Sequence, residues 1–226
     1  MGIIFGAIIA ILIPIFIEFL RRPRLQLTIG PVKDQKYDSR PAERKRALRL
    51  KVENLPLPEW AGWMSRNPAL QCGGYITFHH LDGQKVFRRS MIIRWTESPE
   101  PIPIIFHIDG KKGYIVDPAR ITLEQRKDVF PGKSEIIDVA CRYDKDEECY
   151  GWNNESYFSD PAWRNPSLKL EKGRYLVSVT IGSSGQTCTA LFRLINDVGI
   201  EDFRLENARP EDYDKFKKIT DNRQSS

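Results

Sequence analysis

The chain has 226 residues, 41% of them apolar and 29% charged, with a net charge of +5. That length suits one domain with appendages, and the composition excludes a collagen, a low-complexity chain and a polytopic membrane protein. The content of 15 Gly, 15 Pro, 11 Phe, 8 Tyr, 5 Trp and 4 Cys fits a β-rich, loop-rich body and not a helical bundle or a disulfide scaffold. The mean hydropathy of −0.44 averages a very apolar N-terminus with a polar remainder.

Residues 3–20 read IIFGAIIAILIPIFIEFL, with Glu18 as the single charge. As a helix they span about 27 Å, close to the ~30 Å of bilayer hydrocarbon, which predicts a transmembrane anchor over 1–20. A cleaved signal peptide is the competing reading. The start lacks a basic segment and no A-x-A site follows, so the anchor is preferred. Gly2, Gly6 and Ala10 fall at four-residue spacing, a small-residue face through which two helices could approach as a homodimer. Pro14 removes one backbone hydrogen bond in mid-span.

Between Arg21 and Lys51 there are 11 Lys/Arg against 3 Asp/Glu, a local excess of +8. The positive-inside rule then places everything after the helix in the cytoplasm, at the cell membrane. The cluster Arg21, Arg22 and Arg24, joined by Arg44, Lys45 and Arg46, also suits contact with anionic lipid of the bilayer. No aromatic residue interleaves with these charges to stack bases, which argues against a nucleic-acid partner. Residues 21–45 read as a basic linker.

From there the period-2 signal dominates. Leu25–Ile29, Leu48–Val52 and Tyr75–Phe78 alternate apolar with polar residues, as half-buried strands do. Asp82-Gly83 is a hairpin turn, because both residues tolerate positive φ. Met91–Trp95 and Ile102–Ile108 are further strands, separated by the proline-rich ESPEPIP. A short helix is possible only near 118–127. Ile136–Cys141 follows the turn dipeptide Pro131-Gly132. Tyr175–Ile181 and Thr189–Ile195, joined through Ser183-Ser184-Gly185, form an antiparallel hairpin that closes the fold. A β-sandwich domain over 46–208 and a frayed tail over 209–226 complete the organisation. The fold expected is all-β: an antiparallel two-sheet immunoglobulin-like sandwich preceded by one transmembrane helix.

The runs LRLKVEN (48–54), CGGYITF (72–78), DVFPGKSEIIDVA (128–140) and GRYLVSVTI…FRLIN resemble a β-sandwich recurrent in uncharacterised prokaryotic proteins. There it often follows a membrane anchor or a linker. The resemblance covers about residues 45–195. It implies a fold, no assigned activity and no functional residues.

Chemistry-bearing patterns are sparse. His79 and His80 are neighbours on a strand and point to opposite faces, and His107 is remote. Cys72, Cys141, Cys149 and Cys188 contain no C-x-x-C pair, so neither a metal nor another cofactor is expected. Cys141 and Cys149 bracket a turn and are the pair expected to bond in an oxidising compartment; a reducing one leaves four free thiols. The acidic run 144–148 lacks the glycine and ligand spacing of a calcium loop. There is no G-x-S-x-G, phosphate loop or H-E-x-x-H, and no enzymatic activity is expected.

The most unusual stretch, 149–166, mixes aromatic rings with amides, a carboxylate and an arginine. Trp152, Asn153, Asn154, Glu155, Trp163 and Arg164 are the candidate ligand residues, suited to stacking with edge hydrogen bonds. The alternative is that this loop and the 56–64 stretch fold over the sheet ends and bury Trp60, Trp63, Trp152 and Trp163 as a minicore. The function expected is a cytoplasmic recognition module for a protein or small ligand. Two other readings are a sensor-effector that binds a nucleotide-like signal and an outward-facing carbohydrate-binding module.

Overall fold

The structure is a computed structural model, which describes residues 2–37, 40–99, 101, 104–115, 124–159 and 164–216. Helix α1 spans Gly2–Arg21. Strands β1 (Leu25–Ile29), β2 (Lys33–Tyr37), β3 (Arg40–Asn54), β4 (Ala69–His80), β5 (Met91–Ile92), β6 (Arg94–Trp95), β7 (Ile104–Ile108) and β8 (Lys111–Ile115) follow. Then come β9 (Lys127–Val129), β10 (Ser134–Tyr143), β11 (Cys149–Gly151), β12 (Lys169–Leu170), β13 (Arg174–Ser183), β14 (Gln186–Ile195) and β15 (Arg204–Asn207).

Two antiparallel sheets form a sandwich-like all-β body. One runs β1-β3-β10-β11-β12, with β2 also on β3 and β6 on β10. The other runs β15-β14-β13-β4-β5, with β9 on β4, and among the described residues β7 and β8 form a separate pair. Alternation decides what each strand buries. Leu48, Leu50 and Val52 of β3 meet Ile76 and Phe78 of β4, Val177 and Val179 of β13, and Phe192 and Leu194 of β14 in one core. Each such fully buried side chain contributes about 2 kcal/mol through its apolar area.

Two glycines are dictated by geometry. Gly185, at φ +90°, closes the two-residue loop between β13 and β14, where Ser183 faces Gln186. At Gly74 a Cβ would stand 2.0 Å from the Thr180 carbonyl oxygen, so β4 and β13 approach closely only because the side chain is missing there.

The transmembrane anchor is overturned. Among the described residues no helix is long and apolar enough to cross a membrane. Helix α1 ends in a Glu18–Arg21 ion pair. The single-pass localisation, with its cytoplasmic head, falls with the anchor. Gly2, Gly6 and Ala10 do lie within α1, so their spacing puts them on one side of it.

The segment read as a basic linker is largely strand: β1 pairs with Leu50–Asn54 of β3, and β2 with its earlier half. The hairpin β13–β14 does not end the fold, because β15 adds to β14. In the stretch read as a frayed tail, residues 210–216 are helical and pack on the outer face of β14. Arg193 donates to Asp212 from both Nε and Nη2, each at 2.6 Å, and Asp212 also accepts the Arg209 amide at 2.8 Å. Under this helix Leu176 and Leu191 are buried.

The Arg193 hydrogen bonds hold the Asp212 carboxyl below its usual range. A depressed folded pKa means that this stabilisation is complete above the unfolded value of about 3.9 and is lost as pH falls through the folded one. Hydrogen exchange at Leu191 and Tyr213 is therefore expected to accelerate below about pH 4. In Asp212→Asn the same exchange should be fast already at neutral pH and show no acid step. An unchanged neutral-pH rate in that variant would refute the role of the pair.

Candidate functional site

Alternation on β3 gives the first sheet a second buried layer on its outer face. Opposite in phase to Leu48 and Leu50 stand Glu43, Lys45 and Ala47, all three buried. In register beside them, Cys141 pairs with Ala47, Tyr143 with Lys45, and Tyr150 with Cys141. Ala47, Cys141, Tyr143, Tyr150, Trp152 and Tyr157 form one apolar cluster, separate from the main core.

Cations cap its rings. Lys45 Nζ lies 3.8 Å from the centroid of the Trp152 ring, and Arg164 Cζ lies 4.0 Å from that of Tyr143. Such stacking contributes about 0.5–2 kcal/mol, the larger figure where water is excluded. Arg164 is in turn held by Asp146, with Nε to Oδ2 at 2.5 Å, and by Glu43. Burial opposes its charge, but the hydrogen bonds it donates to Asp146 and Glu43 outweigh that and raise its pKa. Burial, helped by Asp146 and Glu148, pushes the Tyr150 hydroxyl up.

Of the residues singled out in the sequence, Trp152, Asn153 and Asn154 are buried and Glu155 is half-buried. Their polar groups are engaged within the chain. Asn153 Oδ1 accepts the Glu155 amide at 3.0 Å and starts a 3-10 turn over Asn154–Phe158. Ser156 Oγ accepts the Asn153 amide at 3.3 Å and donates to the Gly151 carbonyl at 3.2 Å. Asn154 Oδ1 accepts from Arg94 Nη1 at 3.2 Å. Glu155 pairs with Arg89. Trp163 lies outside the described residues.

Thus Trp152 and Arg164 come together over one sheet face, through Lys45, Tyr143 and Tyr150. Glu43 and Arg94 were missed in the sequence, and Lys45, read there as a charge for anionic lipid, is instead buried against Trp152. The signal was there, in the alternation Glu43, Lys45, Ala47, but charged residues do not read as a strand's buried face.

Cys141 and Cys149 sit on strands paired one step out of register, Cys141 opposite Tyr150 and Cys149 opposite Arg142. Their side chains point to opposite faces of the sheet, Cys141 into the outer cluster and Cys149 into the main core. That orientation cannot close a disulfide without moving backbone. All four cysteines are free. Burial pushes the Cys72 thiol up to about 11 and the Cys141 thiol up to about 12, so neither is a ready nucleophile.

His79 and His80 do diverge. His79 Nδ1 donates to the Gly83 carbonyl at 3.0 Å, which leaves Nε2 to accept from Thr77 Oγ1 at 2.9 Å. His80 tilts against Tyr175 on the other face, with ring centroids 5.7 Å apart. Among the described residues no group of three or more His, Cys, Asp or Glu could hold a metal ion.

At the far end of β3 the picture changes. Lys45 and Asn54 are nine residues apart on that strand, or about 30 Å. Asn54 is fully buried and ties three segments together. Its Oδ1 accepts the Arg24 amide at 3.0 Å, and its Nδ2 donates to the carbonyls of Asn67 at 2.9 Å and Val129 at 3.2 Å. The Asn67 amide donates to the Arg21 carbonyl at 2.7 Å, Arg21 Nε to the Ser65 carbonyl at 3.3 Å, and Arg66 Nη1 to the Arg22 carbonyl at 2.5 Å. The end of α1 is thereby fastened to residues 65–67.

Just before that segment lies a 3-10 turn, Glu59–Ala61. Ala61 is fully buried and pins the turn, while Trp60 is 65% and Trp63 75% exposed. These two rings are therefore not packed with Trp152 in a shared minicore. The described side chains of α1 are also open to solvent: Ile11, Leu12, Ile13, Ile15, Phe16 and Phe19 each expose more than half of their area. The chain matches no family model, no curated protein and no solved structure.

Proposed function

We propose that this chain is a non-enzymatic recognition module, with the sandwich as a rigid scaffold and the Trp60–Trp63 end as its docking surface. The observation that carries this reading is the exposure of two tryptophans on a turn whose own backbone is fixed. Met64 N–H donates to the Ala61 carbonyl at 3.0 Å, and Gly62 N–H to that of Glu59 at 3.0 Å. Tryptophan is the residue most enriched among those that dominate interface energy, and a pre-formed turn spares the ordering cost on binding. Recognition is assigned to this end, and not to the 152–164 loop, because Trp152 and Arg164 are already engaged with protein partners.

The test is affinity capture with the intact chain, comparing wild type with Trp60→Ala/Trp63→Ala and with Trp152→Ala. The first variant is expected to lose its binding partners while its melting temperature stays within about 2 °C, as for surface substitutions. Trp152→Ala should lose about 3 kcal/mol of stability, as a large ring removed from a buried cluster does. Retention of every wild-type partner by the folded Trp60→Ala/Trp63→Ala protein would refute the assignment.

A further inference from the structure

We infer that the partner of this docking surface is an anionic lipid leaflet, on which the base of α1 and the Trp60–Trp63 turn sit without crossing it. The inference rests on the recognition reading above and names its partner class.

The first argument is the shape of the apolar surface. Ile11, Leu12, Ile13 and Pro14 leave the helix at successive 100° steps and all four are exposed, so apolar surface points to all sides of α1. A folded partner with a groove covers one stripe of such a helix, whereas a fluid apolar phase covers the whole circumference. The second argument is the ring of groups at the helix base. Tryptophan has an apolar body and one N–H donor, which suits the boundary between acyl chains and headgroups. Two of them, with Phe19, stand beside the segment to which α1 is fastened.

The third argument is charge. Arg21, Arg22, Arg24 and Arg66 gather at that base, against the carboxylates of Glu18 and Glu59. Glu18 pairs with Arg21 at 3.5 Å, and Arg22 Cζ lies 5.8 Å over the Phe19 ring. Burial, and after it the charge of the neighbouring Arg24, lower the pKa of Arg66, and an external anion would offset both. Phosphate-bearing headgroups supply that anion next to the apolar phase that Trp60, Trp63 and Phe19 require.

The test uses the full chain with vesicles of phosphatidylcholine alone and of phosphatidylcholine mixed with phosphatidylglycerol, read by co-sedimentation and by quenching of tryptophan emission with brominated lipid. Wild type is expected to bind the mixed vesicles more tightly than the neutral ones, with the difference shrinking as salt is added. Its tryptophan emission should shift to the blue and be quenched. Trp60→Ala/Trp63→Ala should bind about tenfold more weakly and lose most of the quenching. Arg22→Gln/Arg24→Gln should remove the preference for the mixed vesicles and leave binding to neutral ones. Both pairs are exposed, and unchanged thermal unfolding confirms that these variants fold.

Wild-type binding to neither vesicle overturns the lipid assignment and leaves the recognition reading to the capture experiment. Equal binding by Trp60→Ala/Trp63→Ala overturns the placement of the leaflet at this turn. Sedimentation of a defined oligomer in which tryptophan stays unquenched by lipid assigns the apolar surface to further copies of this chain instead.

Discussion

Replacing Asp138 with alanine is expected to lower stability by about 3–5 kcal/mol, the cost of stranding buried charges by removing their partner. Asp138 lies on β10 between Arg49 of β3 and Arg94 of β6, its register partners on either side. Its Oδ1 accepts from Arg49 Nε at 2.9 Å and from Thr96 Oγ1 at 3.1 Å, and Oδ2 stands 3.8 Å from Arg94 Nε. Asp138 and Arg94 are each 4% exposed. Without the carboxylate, two guanidiniums would face each other in a space closed to water. A drop in melting temperature of roughly 10 °C is the expected reading for a chain of this size. The triple replacement Arg49→Met/Asp138→Leu/Arg94→Met should recover most of it, because an apolar trio needs no neutralisation. A single-variant loss below 1 kcal/mol, on the order of an exposed ion pair, would show that water reaches the site.

The second large effect is expected at Asn54. Asn54→Ala leaves the Arg24 amide and the carbonyls of Asn67 and Val129 without their side-chain partner in a fully buried position. At about 1 kcal/mol or more for each broken bond, the total is about 3 kcal/mol. The loss has an address as well as a size. Hydrogen exchange should quicken at Leu55, Asn67 and Gly132, whose amides close bonds around this residue, and stay unchanged along β13 and β14. Uniform acceleration over the whole molecule would mean that Asn54 supports the fold globally and does not fasten this end in particular.

The strands that were legible in the sequence are those in which every second residue is apolar. Leu25–Ile29 is β1 as expected, and Tyr175–Ile181 and Thr189–Ile195 lie inside β13 and β14. The illegible ones bury charge. The first half of β3 reads RPAERKRA, which resembles a linker. Yet Glu43 and Lys45 are buried, because Arg164 neutralises Glu43 and the Trp152 ring takes up the Lys45 cation. Hydropathy patterns register a residue's own polarity, not the partner that cancels it. Helix α1 failed in a different way: its apolar run promised a span, and among the described residues no helix is long and apolar enough to cross a membrane.

The aromatic loop was legible as unusual, though not as to which way it faces. Its composition suits either ligand stacking or a packed cluster. The choice depends on where β3 and β10 put Ala47, Cys141 and Tyr143 beneath it. The separation of Trp60 from Trp152 could not be read either. It follows from the length of β3, whose fifteen residues carry one group to each end of the sandwich.

The strands that end the two sheets are short. On one sheet β1 and β2 share an edge of five residues each, interrupted by Gly30, Pro31 and Val32, and β12 closes the other side with two. The second sheet ends in β15 with four residues and β5 with two. Pro31 offers no amide, and the charged Lys33, Asp34 and Lys36 resist a foreign strand. Copies concentrated side by side on a surface meet at these borders far more often than copies in dilute solution. Rims this brief give an incoming backbone little to zip onto along these two sheets.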